Sequence, residues 1–196
     1  KNHESLIAAA LRARPGQTES GRVEVVVLDS TRDGIEQMTT WLDGYKDLQA
    51  VHVLSHGDVA ALRLGITTLN QANLDSYREQ LAAWNVAMAP GADLLFYGCD
   101  IAAGTEGEAF VEQLGQLTGV DVAASTDASG ATERGGDWIL EKTTGTLDTQ
   151  PLTLDDYDQL LAVVSPTKTG DITATLSSST APFDAAARFG LQLNAS

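Results

Sequence analysis

The segment LLFYGCDIAAG, Leu94 to Gly104, decides how this chain folds. Large apolar residues run through Tyr97 and then give way at once to Gly98, Cys99 and Asp100. That profile belongs to a strand covered on both faces and ending at the rim of a sheet. AVHVLSHG (Ala50 to Gly57) closes in the same manner, with His56 and Gly57 at its tip. VEVVVLD (Val23 to Asp29) and VDVAAST (Val120 to Thr126) are two further β-rich runs.

Helical patterns separate these strands. HESLIAAALRAR repeats its apolar residues at helical spacing and is ended by RPGQTESG. STRDGIEQMTTWLDGY brings Ile35, Met38, Trp41 and Leu42 to one face, with Ser30 or Thr31 as the expected N-cap. NLDSYREQLAAWNVAM reads as another helix, closed by Pro90 and Gly91, and EGEAFVEQLGQLTG as one more, with Phe110, Leu114 and Leu117 inward. DVAALRLGITTLN predicts a short hairpin turning at Gly65, and WILEKTTGTL an edge strand or hairpin. Strands alternating with helices predict an α/β domain: a mostly parallel sheet with helices on both faces, over residues 1–150. Residues 151–196 read as a last helix in PLTLDDYDQLLAVV, then a Ser/Thr-rich linker leading into a β-rich module or assembly segment. No internal repeat is visible.

Composition narrows the function classes. The formal net charge is −15 and the Lys and Arg residues are scattered, which argues against nucleic-acid binding. Such acidity suits a soluble surface, or a calcium-rich exterior in a longer parent protein; the domain itself calls for no cofactor. No apolar stretch is long enough to span a bilayer, and the N-terminal residues do not read as a signal peptide. A single cysteine excludes a disulfide scaffold.

In an open parallel sheet, functional groups collect at the carboxyl ends of the strands. His56 and Cys99 occupy equivalent ends, so adjacent strands would bring imidazole and thiol to one edge. A thiol with a pKa near ~8.5 needs a basic partner to supply thiolate at neutral pH, and a Cys–His dyad provides one. Gly57 and Gly98 flank the pair and admit a close approach of substrate backbone, while the amides of Gly57 and Cys99 offer an oxyanion site. Asp100 either orients His56 or caps the following helix, with capping favoured. Thr126, Asp127 and Ser129 follow the next strand and line the same rim. His52 reads as structural, and zinc on His52, His56 and Cys99 is disfavoured because the ligand spacing is not that of a zinc site. The acidic loop TDASGATERGGD offers calcium ligands but does not match the EF-hand or RTX spacing.

An apolar strand ending in His-Gly, followed by one ending in Gly-Cys, resembles the caspase-like cysteine peptidases: caspases, gingipains, clostripain, legumain and separase. The His–Cys separation is 99 − 56 = 43 residues, against about 50 in caspases. More closely, VVVLDSTRDGIEQM, VHVLSHG, LLFYGCDIAAG and VAASTDASGATERGGDWILE resemble a caspase-related domain of unknown function found in giant secreted bacterial adhesins ahead of cadherin-like repeats. The resemblance covers Val23 to Thr146. It implies a peptidase-like fold and an exported, cell-surface parent, with a polypeptide substrate or a neighbouring adhesin subunit as partner. In such peptidases the region of Asp100, Thr126, Asp127 and Ser129 builds the specificity pocket, so Asp127 would select a basic residue; the alternative is a solvated loop. The nucleophile segment departs from that of true caspases, so the rival expectation is a non-catalytic assembly module.

The resemblance also implies a strand between VEVVVLD and AVHVLSH that residues 1–150 do not supply. Left empty, that position would carry unpaired backbone groups beside an apolar seam. The expectation is that a segment outside residues 1–150 fills it, either upstream chain or a strand such as DITATLSSS donated by a neighbouring molecule as strand-exchange partner.

Overall fold

The computed structural model describes the backbone of residues 22–161, 172–179 and 188–193, with side chains over 24–161. Its elements in chain order begin with strand β1 (Arg22–Val27), helix α1 (Gly34–Leu42) and strand β2 (Leu48–Leu54). A small antiparallel sheet follows, made of β3 (Gly57–Asp58), β4 (Ala61–Leu64) and β5 (Thr67–Asn70), with Gly65 in the left-handed region at the expected turn. Helix α2 (Arg78–Trp84) is flanked by short 3-10 turns and leads into the long strand β6 (Met88–Tyr97). Then come α3 (Gly104–Thr118), β7 (Asp121–Ala124) and β8 (Lys142–Thr143). The last strands are β9 (Ile172–Ser179) and β10 (Arg188–Leu193). The predicted helix HESLIAAALRAR lies outside the described residues.

The main sheet is seven-stranded, in the order β1-β10-β9-β2-β6-β7-β8, with further pairing of β1 to β9. β2, β6 and β7 are mutually parallel neighbours, and β8 is an antiparallel edge of two residues. The sheet is mostly parallel and flanked by helices, the α/β architecture expected. Between β1 and β2 lies β9, antiparallel to both: Leu176 stands opposite Val25 on one side and His52 on the other. β10 pairs with both β9 and β1. Ile172–Ser179 of the same chain, not of a neighbouring molecule, therefore fills the missing position, and it runs against the parallel direction of its neighbours.

Alternation along the strands divides the core into two layers. Val51, Val53, Leu94, Phe96, Val122 and Ala124 face α1, α2 and α3, meeting Ile35, Met38, Leu81, Trp84, Phe110 and Leu114. Each fully buried side chain of this size contributes about 1.5–3 kcal/mol. Ala50, Leu54, Leu95, Tyr97 and Ala123 face the other way and are covered by Trp138, Leu140, Leu152, Leu154, Tyr157 and Leu161. Among the described residues that second cover is extended chain. Residues 151–161 are thus not the last helix that PLTLDDYDQLLAVV predicts. Two of their backbone donors go to distant partners instead: Leu152 N donates to the Tyr97 hydroxyl and Leu161 N to the Ser129 carbonyl.

The start of α1 also differs from expectation. Its N-cap is Asp33, not Ser30 or Thr31. Oδ1 of Asp33 accepts from Ile35 N and Glu36 N, and Oδ2 from Thr67 Oγ1 and Tyr77 Oη, both at 2.6 Å. One carboxylate thereby ties the helix to β5 and to the turn before α2.

Candidate functional site at the carboxyl edge of the sheet

β2 and β6 are direct neighbours, and their register runs from His52 opposite Leu95 to Leu54 opposite Tyr97. One further ladder bond, Ser55 N to the Tyr97 carbonyl at 2.9 Å, carries the pairing past the strand ends. His56 and Cys99 follow two residues beyond Leu54 and Tyr97, so the two chain ends stand side by side at one edge. Both residues are buried, His56 at 6% exposure and Cys99 at 3%.

The glycines beside them have a packing task. A Cβ on Gly57 would lie 2.6 Å from the Cys99 carbonyl oxygen and 2.5 Å from Ile101 Cγ1. One on Gly98 would lie 2.9 Å from the Ser55 carbonyl oxygen and 3.0 Å from Gly57 N. The two loops press backbone against backbone, and only glycine permits that distance. The space beside Gly57 is therefore filled by the Cys99 loop itself, whereas the sequence suggested room for a substrate backbone. The segment after Cys99 turns through Asp100 in the left-handed region. Asp100 N donates to the Asp127 carbonyl and Ala102 N to the Ser125 carbonyl, both at 2.8 Å, which joins this loop to the one after β7. Asp100 does not cap α3: the N-cap residue is Ala103, and it makes no side-chain cap bond.

Cys99 Sγ donates to the Ser129 carbonyl at 3.7 Å. Burial pushes the thiol up to about 11, and the negative charges of Asp100 and Asp127 push in the same direction. In this arrangement Cys99 is a protonated thiol, because desolvation disfavours the anion. Ser129 is not a rim residue. It is 1% exposed, and its Oγ has no hydrogen-bond partner among the described residues. Asp127 is exposed, and its carboxyl is pushed up by burial first and then by the charges of Glu141 and Asp137. Asp127, Asp137 and Glu141 bring carboxylate oxygens within 4.8 Å of one another, and Glu141 also accepts from Thr126 N and Oγ1.

Behind His56 and Cys99 lies a second polar layer. His52 is buried and its Nδ1 lies 3.1 Å from the Tyr97 hydroxyl, with the rings stacked. Burial alone lowers its pKa to about 3, so it is neutral. Sequence reasoning missed Tyr97 and Tyr157, both buried in the cluster that holds Cys99. The signal for Tyr97 was present, since residues 97 and 99 share strand parity with each other.

Neither a curated protein nor a solved structure matches this chain. Residues 1–161 match one family, described as Domain of unknown function (DUF4347), and that span includes the whole of the carboxyl-edge site together with the chain that covers it. The protein belongs to the DUF4347 family.

Proposed function

We propose that this domain is a caspase-like cysteine peptidase held in a covered, resting state. The observation that carries the reading is the direct parallel pairing of β2 with β6, which sets His56 and Cys99 at matched ends of adjacent strands. In the working state the Cys99 thiol gives its proton to His56, and the resulting thiolate attacks a peptide carbonyl. His56 then protonates the leaving amine as the C–N bond breaks, leaving a thioester. Water, deprotonated by the same imidazole, hydrolyses the thioester and restores the thiol. The chemistry needs no cofactor. The motifs resemble those of secreted adhesins, so the substrate class is a polypeptide at the bacterial surface, either the parent chain or a neighbouring one.

A second reading, a non-catalytic assembly module of such an adhesin, is favoured by the burial of Cys99 and its raised pKa. Intact-mass labelling with an electrophilic peptide probe separates the two. Adduct on the wild type that is lost in both Cys99→Ala and His56→Ala supports the peptidase. No adduct on any of the three, even when the cover over Cys99 has been loosened, supports the module.

A further inference from the structure

Residues Ala128 to Ala131 form an extended segment with both edges in use. On one edge Gly130 N donates to the Asp137 carbonyl at 2.8 Å, and Asp137 N donates to the Ala128 carbonyl at 3.0 Å. On the other, Ala131 N donates to the Gln159 carbonyl at 2.9 Å, and Leu161 N donates to the Ser129 carbonyl at 2.8 Å. Gly130 stands opposite Leu160 in an antiparallel bridge. The Ser129 carbonyl is the same oxygen that receives the Cys99 thiol. A short piece of chain, Gln159 to Leu161, is thus laid in extended form along an edge that ends at the sulfur.

The edge is shaped for a backbone. Gly130 has a φ of 137°, and a Cβ there would lie 2.3 Å from the Gln159 carbonyl oxygen and 2.8 Å from Leu160 Cα. A side chain would push the occupant away, whereas glycine lets main chain meet main chain. Binding through alternate N–H and C=O groups of an extended edge is strand addition, a mode in which the main chain supplies affinity whatever the side chains.

We propose that Ser129–Ala131 is a peptide-binding edge beside Cys99, and that Gln159–Leu161 is its resident occupant. The ligand it takes is an extended polypeptide segment, and the resident strap must leave before another chain binds. The inference rests on the peptidase reading only in taking Cys99 as the group that such a chain would meet.

The test uses the full chain and two probes, iodoacetamide on Cys99 and hydrogen exchange of backbone amides. In the wild type, the opening that admits iodoacetamide to Cys99 is expected to match the opening of the Leu161 amide and to be far more frequent than that of the Val53 amide. Cys99 reacting only as often as Val53 exchanges would overturn the proposal. Leu161→Pro removes the strap's donor to the Ser129 carbonyl and leaves the edge residues Ser129–Ala131 unchanged. In this variant alkylation should speed up at least tenfold, and a synthetic peptide of sequence DYDQLLAV should slow it again. A folded variant alkylated at the wild-type rate, or one that the peptide fails to protect, overturns the binding edge. If the variant does not fold, the wild-type comparison decides. Neither readout requires catalysis. Peptide protection without any electrophilic labelling would sink the peptidase reading alone. Equal labelling of wild type and Leu161→Pro by the electrophilic probe would sink the edge alone.

Discussion

The Tyr97 hydroxyl joins buried His52 to the chain that covers it. It accepts a hydrogen bond from Leu152 N at 2.7 Å and lies 3.1 Å from His52 Nδ1. Because the folded pKa is lowered to about 3, the unfolded chain binds a proton below about 6.5 that the folded chain refuses. The His52 contribution is full above that pH and is lost as pH falls toward 3. Between pH 7 and pH 5 the loss amounts to about 2 kcal/mol. Urea unfolding at several pH values should show this slope in the wild type and not in His52→Leu; equal slopes would refute it.

Asp33→Ala should destabilise the domain by about 2–3 kcal/mol, since it removes an N-cap and the acceptor of two part-buried hydroxyl bonds. Burial pushes the Asp33 carboxyl up, but hydrogen bonds from Thr67, Tyr77, Glu36 and Ile35 outweigh it and hold it below the usual range. Its stabilisation is therefore present above the unfolded carboxylate pKa and fades as pH falls through the lower folded value. Asp33→Asn, which keeps the cap, should lose less than Asp33→Ala in thermal unfolding.

Gly57→Ala should cost about 1–3 kcal/mol, because its methyl group would meet the Cys99 carbonyl and Ile101. Gly98→Ala should cost less, since one of its close contacts is the movable Ile101 Cδ1. Chemical denaturation gives both values; a Gly57→Ala variant as stable as the wild type would mean that the loops do not touch as described.

With the strap in place, the Cys99 thiolate should appear by its ultraviolet absorbance near pH 11, well above an ordinary thiol. A titration midpoint at or below about 8.5 would contradict the buried, protonated state.

The strands, the hairpin at Gly65 and the pairing of the His56 and Cys99 ends were all legible, because periodicity and local turn chemistry carry them. The need for a strand between β1 and β2 was legible as well, but its direction was not, since nothing in ITATLSSS encodes parallel or antiparallel pairing. The cap of α1 was missed because Ser30, Thr31 and Asp33 are all competent, and the choice falls to Thr67 and Tyr77, residues far along the chain. Residues 151–161 misled for a similar reason. Leu154, Tyr157 and Leu161 are spaced like a helix face, yet Leu152 N is claimed by the Tyr97 hydroxyl and Leu161 N by the Ser129 carbonyl. The cover over Cys99 depends on these distant contacts, so no local pattern announced it.

The strap that seals Cys99 also sets an order of events during synthesis. Cys99 leaves the ribosome well before Leu161, the residue whose amide closes on the Ser129 carbonyl. At ordinary elongation rates, the intervening chain takes about 3–12 seconds to emerge. For that interval the chain's single thiol has no lid and titrates like any other, with a pKa near ~8.5. Oxidation or mixed-disulfide formation is therefore a hazard of the nascent chain, and docking of residues 159–161 brings it to an end.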